Sequence, residues 1–232
     1  MSSISPLDGR YKKETQELND YFSEQALMRF RLYMEIKYLI FLSETASLKK
    51  RVSVSTKNKK ALTDIYKNFG QKEYNAIKRI ESKTKHDVNA VVEYLSEKVE
   101  NISEDLVPWV HFGLTSEDIN NVAYSLMIRG AIEGPVFNSL SIVSSSLKKT
   151  VAKTKALSML SLTHGQPATT TTLGKELAVF HSRLERQTQQ IKKVRLLAKF
   201  SGATGTFAAH KVAFPKENWL GFSKKFMSSL GL

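Results

Sequence analysis

Cysteine is absent from this 232-residue chain. Disulfides and thiolate metal sites are thereby excluded, and nothing argues for an oxidising compartment. Long hydrophobic runs are absent as well. The longest covers residues 38–42, with Lys37 before it and Ser43 and Glu44 after. Crossing a bilayer takes roughly 20 apolar residues, so no membrane contact is expected. The first residues show no basic stretch followed by an apolar one and do not read as a signal peptide. The cytoplasm is the expected location. There is no internal repeat and no low-complexity linker. Histidines at metal-ligand spacing, a Gly-x-Gly-x-x-Gly fingerprint and a Gly-x-x-x-x-Gly-Lys-[Ser/Thr] loop are all missing. No metal and no other cofactor is expected. What these gaps leave open is a site built from histidines, hydroxyls and cations.

The composition that is present is 41% hydrophobic and 25% charged, ordinary for a globular chain long enough for one sizeable core or two small ones. The net charge of +13 stands out. It reads either as a lysine-rich solvated surface or as attraction for anionic partners. The cations fall in short clusters (Lys57, Lys59 and Lys60; Lys148 and Lys149; Lys192, Lys193 and Arg195) with no interleaved aromatics. That pattern disfavours nucleic acid and leaves anionic metabolites.

Apolar residues recur at helical spacing along most of the chain. Ser23 and Glu24 can start a helix whose face runs through Ala26, Phe30, Tyr33, Met34 and Phe41. A second spans residues 59–69 with Leu62, Ile65 and Tyr66, and Gly70 closes it. A short one follows over 73–82. Asp87 opens another, with Val88, Val91, Leu95 and Val99 on one face. Ser116 is a candidate N-cap, with Glu117 and Asp118 where the helix dipole favours negative charge. Gly134-Pro135 interrupts the pattern, and Val136, Leu140, Val143, Leu147 and Val151 resume it. A last long helix is expected from Leu173 as far as Ala198, through Leu177, Phe180, Leu184, Gln187, Ile191 and Val194. Its alternating spacing of four and three is that of a helix packed along its length, and suggests a bundle that also joins chains together. Strand signals are weak; only residues 205–214 could hold a short extended piece.

Three polar loops lie between these helices. Lys85-His86-Asp87 stands at a helix start, where free N–H groups favour an anion. Residues 111–118, His-Phe-Gly-Leu-Thr-Ser-Glu-Asp, place the hydroxyls of Thr115 and Ser116 at another helix start. Thr163-His164-Gly165-Gln166-Pro167 holds His164 in a backbone fixed by glycine and proline. A histidine titrating near ~6.5 can give or take a proton at neutral pH. Taken singly, each loop is better explained by an ordinary cap or turn. His181 and His210 read as structural or surface residues.

Together the blocks resemble the adenylosuccinate lyase family of the fumarase/aspartase superfamily. The matching segments are Ser5-Pro6-Leu7-Asp8-Gly9-Arg10-Tyr11; Lys85-His86-Asp87-Val88-Asn89-Ala90-Val91 with Glu93-Tyr94-Leu95; and Thr115-Ser116-Glu117-Asp118-Ile119-Asn120-Asn121. They continue with Thr163-His164-Gly165-Gln166-Pro167-Ala168-Thr169, then Leu173-Gly174-Lys175-Glu176, then Ser201-Gly202-Ala203-Thr204-Gly205 with Ala209-His210. One departure is Thr170, where the family usually carries a second proline. A larger one is the family's loop Ser-Ser-x-Met-Pro-x-Lys-x-Asn-Pro, which bears its general-base serine and occurs nowhere here. The chain therefore reads as an N-terminal portion that lacks a complete site.

The resemblance implies an all-α fold: an N-terminal helical domain over residues 1–111, then the first part of a central helical bundle over 112–232. It implies a carbon–nitrogen lyase that eliminates fumarate from adenylosuccinate, giving AMP, and from succinylaminoimidazole carboxamide ribotide in purine nucleotide biosynthesis. His164 would be the general acid and His86 would lie near the reacting groups. Arg10, Tyr11, Lys85, Asp87, Thr115, Ser116, Thr163 and Gln166 would join His86 in binding substrate. The family assembles its sites between the subunits of a homotetramer. Two other readings stay open: a non-catalytic truncated oligomerisation fragment, and a sister enzyme such as argininosuccinate lyase.

Overall fold

The computed structural model describes residues 3–232. Two compact units emerge. One combines the chain up to Arg129 with Leu196–Leu232, and the other is Gly130–Arg195. The expected division between residues 111 and 112 concerns the arrangement of a longer protein and stays a proposal.

The first unit is helical. After a short turn α1 (Asn19–Phe22) come α2 (Glu24–Glu44), α3 (Thr56–Lys67), α4 (Gln71–Thr84), α5 (Asp87–Glu100) and α6 (Ser116–Ala131). The returning segment adds α9 (Ala208–Ala213) and α10 (Trp219–Ser229). Side chains set several of the helix starts. The Ser23 hydroxyl accepts from Ala26 N–H and the Ser55 hydroxyl from Asn58 N–H. The helix α5 opens at Asp87 as expected; its cap is His86, whose ring accepts from Asn89 N–H. Each such cap contributes about 1 kcal/mol.

The centre of this unit is α2. The sequence suggests a single apolar face through Ala26, Phe30, Tyr33, Met34 and Phe41. In the structure the helix is covered on more sides, with Leu32, Ile36, Leu39 and Leu42 fully buried as well. A helix apolar nearly all round belongs inside a core. Around it pack Leu62, Ile77, Val88, Val91, Leu95, Val99, Ile119, Val122 and Leu126, joined by Phe200, Trp219, Phe222 and Phe226 from the returning segment. Burying one such side chain contributes about 1.5–3 kcal/mol.

The second unit holds a π-helical turn (Ile132–Val136), α7 (Phe137–Thr154), a hairpin of β1 (Ser158–Thr163) and β2 (Gln166–Thr172), and α8 (Leu173–Lys193). The turn follows from Gly134, whose backbone leaves helical geometry (φ −93°, ψ −108°) just before Pro135. The strands pair antiparallel from Ser158 opposite Thr172 to Thr163 opposite Gln166, with a register shift between Leu160 and Leu162. Gly174 is buried where α8 meets α7; a Cβ there would stand 2.6 Å from the Lys155 backbone.

Two expectations are corrected here. The extended pair lies at 158–172, whereas 208–213 is helical. The last long helix ends at Lys193, and residues 194–200 run as non-helical chain. The reason for the early stop is specific. Ser125 Oγ donates to Leu197 O (2.8 Å), and the Asn121 amide both donates to Lys199 O (2.9 Å) and accepts from Lys199 N–H (2.6 Å). Polar side chains of α6 thus satisfy backbone groups that a continued helix would have paired internally.

Candidate active site

The polar loops of the first unit are tied to α2 by three residues spaced i, i+4 and i+7, which share one helix face. Arg31 is buried and reaches two loops at once. Its Nη2 donates to Asp87 Oδ2 at 2.6 Å and its Nε to Asn120 Oδ1 at 2.9 Å. The helix start at Asp87 and the one at Ser116 are therefore held by a single guanidinium. Glu35, also buried, pairs with His111 Nδ1 at 2.6 Å. The Tyr38 hydroxyl donates to Phe112 O at 2.7 Å. With its only proton committed, that hydroxyl must accept from His210 Nε2 (3.2 Å), which fixes the histidine tautomer.

Ionisation follows these contacts. Burial works to raise the Asp87 pKa, but the hydrogen bond and charge of Arg31 outweigh it, and the carboxyl lies below its ordinary value. Burial works against charge on His111. The Glu35 hydrogen bond and charge, with help from Asp118, prevail and raise it. Burial dominates at His210 and lowers it, opposed by Asp118. His210 Nδ1 and Glu35 Oε2 are buried without a hydrogen-bond partner. The His210 ring also fills the space beside Gly113, where a Cβ would come within 2.8 Å of it.

Lys85 closes α4 in a left-handed conformation (φ 55°), which throws the chain directly into α5. His86 stands between them, half-exposed. Its Nδ1 is an acceptor toward Asn89 N–H (3.1 Å), which leaves Nε2–H as the outward donor of the neutral ring. The Thr115 N–H donates to Asp118 Oδ2 at 3.0 Å, so α6 begins with one half of a capping box. The N-terminal pair is displayed on a tight turn. Asp8 accepts from Ser5 N–H (2.7 Å) and Ile4 N–H (3.1 Å), and the Arg10 guanidinium lies over the Tyr11 ring at 5.5 Å.

In the second unit Thr163, His164 and Gln166 meet at the tip of the hairpin. Thr163 pairs with Gln166, and His164 and Gly165 fill the two-residue turn. Both have positive φ, 49° and 77°. That is the signature of a primed hairpin turn, where the second position calls for glycine. His164 is exposed. His181 is a linking residue: its Nε2 lies 3.2 Å from Ser144 Oγ, and the same hydroxyl donates to Glu185.

Sequence patterns thus locate the loops and miss what anchors them. Arg31, Glu35 and Tyr38 sit inside an apolar helix, where periodicity gives them no role. Asp118 is visible only as an acidic residue in a first turn, yet it is fully buried. The one available signal was charge within an otherwise apolar stretch.

A lyase family profile matches residues 9–227. The chain belongs to this lyase family. Similar relatives include the adenylosuccinate lyase of Legionella pneumophila (strain Corby), 42% identical over 234 residues, covering 100% of this chain and 51% of that protein. The adenylosuccinate lyase of Dictyostelium discoideum is 42% identical over 236 residues, 99% of this chain and 51% of its own. That of Escherichia coli (strain K12) is 37% identical over 234 residues. This lyase chain spans about half the length of the curated relatives it matches. Among solved structures, the β-carboxy-cis,cis-muconate cycloisomerase from Acinetobacter calcoaceticus sp. ADP1 superposes with a TM-score of 0.76 at 21% identity, over 94% of this chain and 48% of its own. The fumarate lyase from Mesorhizobium sp. BNC1 gives 0.75 at 21%, with the same coverage. These likenesses show the fold. The fold is all-α apart from one small hairpin.

Proposed function

We propose that this chain is the N-terminal part of an adenylosuccinate lyase, which eliminates fumarate from adenylosuccinate to give AMP and from succinylaminoimidazole carboxamide ribotide. The observation that carries this reading is identity of about 40% across the whole chain to proteins of that name. A base removes the proton from the succinyl carbon beside a carboxylate. The nitrogen leaves only once protonated. His164, free at its turn, is the acid for that step. His86 offers Nε2–H, with Lys85 and Asp87 beside it. Thr115 and Ser116 present hydroxyls at the start of α6, where the helix dipole favours the succinyl carboxylate and the charge it develops. Arg10 has the geometry for bidentate phosphate contact, with Tyr11 beneath it. Thr163 and Gln166 flank the acid. No cofactor enters these steps, and the general base is supplied by the rest of the protein.

Assembly is part of the proposal. No residue of α7 is buried, and Ile142, Val143, Phe180 and Ile191 are exposed on α7 and α8. A homotetramer whose subunits share sites would cover them, and the cytoplasm is its proposed location. No helix of the described residues is long and apolar enough to cross a membrane.

The test is cleavage of adenylosuccinate, followed by absorbance, with the 232-residue chain and with the chain continued to the full length of its relatives. Activity is expected in the long form alone. His164→Ala is expected to lower kcat by about 100- to 10,000-fold, the range for a positioned acid. A long form inert toward both succinyl nucleotides but active on argininosuccinate would replace this assignment with the sister enzyme. Activity in the short form would show that the base lies within these residues.

A further inference from the structure

Asp118 is fully buried, and four donors converge on it. Thr115 N–H (3.0 Å) and Gly202 N–H (3.0 Å) reach Oδ2, while Ser201 N–H (2.9 Å) and Lys199 Nζ (3.0 Å) reach Oδ1. An ionised carboxylate offers about four lone-pair sites, so its acceptor capacity is filled. A helix cap accounts for the first of these bonds only. The other three go to a turn more than 80 residues further on. We propose that Asp118 is a positioning residue: it fixes the Thr115–Ser116 hydroxyls against the turn at residues 199–202, and so sets the geometry in which the substrate carboxylate is held. The inference rests on the reading of Thr115 and Ser116 as carboxylate binders.

Two physical points support it. A buried charge without partners would be strongly unfavourable, and here three backbone amides and an ammonium compensate it. A bare carboxylate two residues from an anion-binding loop would also repel the substrate. Lys199 removes that repulsion. Its ammonium also donates to the Gly202 carbonyl, so one side chain neutralises Asp118 and braces the same turn. Further along α6, Asn121 and Ser125 hold the segment that leads into this turn. They act on the path of the chain. Asp118 acts on the loop that bears the hydroxyls.

The experiment uses the full-length enzyme with Asp118→Asn, which turns an NH2 group toward donors. Catalytic geometry is sensitive to shifts of about 1 Å, which can cost roughly 100-fold. On that basis kcat/KM per folded site is expected to fall about 10- to 100-fold, and the inhibition constant of fumarate to rise about tenfold. Amide exchange at Thr115, Ser201 and Gly202 should accelerate together. Ser125→Ala, which cuts only the bond to Leu197, is the structural comparison. It should lower the melting temperature and leave kcat/KM and fumarate inhibition unchanged. The proposal is overturned if folded Asp118→Asn stays within twofold of the parent in both readouts, or if Ser125→Ala loses as much. Should Asp118→Asn not fold, Gly202→Ala strains the turn at φ +79° and leaves the carboxylate intact. The same loss is then expected, and unchanged kinetics overturn the proposal. If the parent enzyme neither cleaves adenylosuccinate nor is inhibited by fumarate, the assignment of function fails separately. Exchange at the three amides then decides whether Asp118 joins the two loops, and unchanged exchange sinks the inference.

Discussion

Arg31 takes part in no chemistry proposed above, yet two loops depend on it. Removing one partner of a buried ion pair costs about 3–5 kcal/mol when the other charge is stranded. Asp87 is half-exposed and can be rehydrated. Arg31→Met is therefore expected to destabilise by about 2 kcal/mol, below that range, in a denaturant titration. It should also impair activity, because His86 and Thr115 lose their common reference. Buried His210 and half-buried His111 act in opposite directions on stability. His210 is held below the ordinary value near ~6.5. Its contribution is present above that pH and is lost as pH falls through its lowered value. His111 is raised. Its contribution is present below ~6.5 and is lost as pH rises through its raised value. Urea midpoints across about pH 5–8 should show His210→Gln flattening the acid limb and His111→Gln the alkaline one.

Among elements, the hairpin carries the proposed acid on two residues of left-handed backbone. An alanine in that conformation is unfavourable by roughly 1–2 kcal/mol. Gly165→Ala should accordingly loosen the strand pairing, read as faster amide exchange at Leu160 and Thr170, and lower kcat without altering the first unit. Most helices were legible from periodicity and punctuation: Ser23, Gly70, Asp87, Ser116 and Gly134-Pro135 each mark a boundary to within a residue or two. The hairpin was not, because Ala168 and four consecutive threonines supply too little apolar alternation to signal a strand. Nor was the end of α8. Val194 and Leu197 continue its spacing, and what stops it is a set of side chains on α6, far away in sequence. The candidate site was legible to the same degree. The proposed residues His86, Thr115, Ser116 and His164 stand out in the sequence because they lie in polar stretches between apolar helices. Arg31, Glu35, Tyr38 and Asp118 were missed because burial is a tertiary property.

At the scale of the molecule, the unit formed by α7, the hairpin and α8 buries little of its own apolar surface. If the proposed tetramer uses this face, Phe180→Lys in the full-length protein is expected to shift it toward smaller species in sedimentation, while far-ultraviolet circular dichroism stays unchanged. A tetramer that persists would place that face elsewhere. The first unit, by contrast, is assembled from two stretches of sequence with the second unit between them. Trp219, Phe222 and Phe226 pack into the same core as α2. During synthesis, α2 to α6 leave the ribosome without these residues and must wait for them. At about 5–20 residues per second, the intervening segment alone imposes a delay of about 3–13 s. Through that interval Tyr38 and Phe41, whose rings pack against Phe222 and Phe226, lack that cover. Nascent chains stalled near residue 195 should therefore be more sensitive to protease in α2 than chains stalled after the segment up to Leu232 has emerged. The order of residues in this polypeptide makes the completion of this core depend on residues synthesised well after α2.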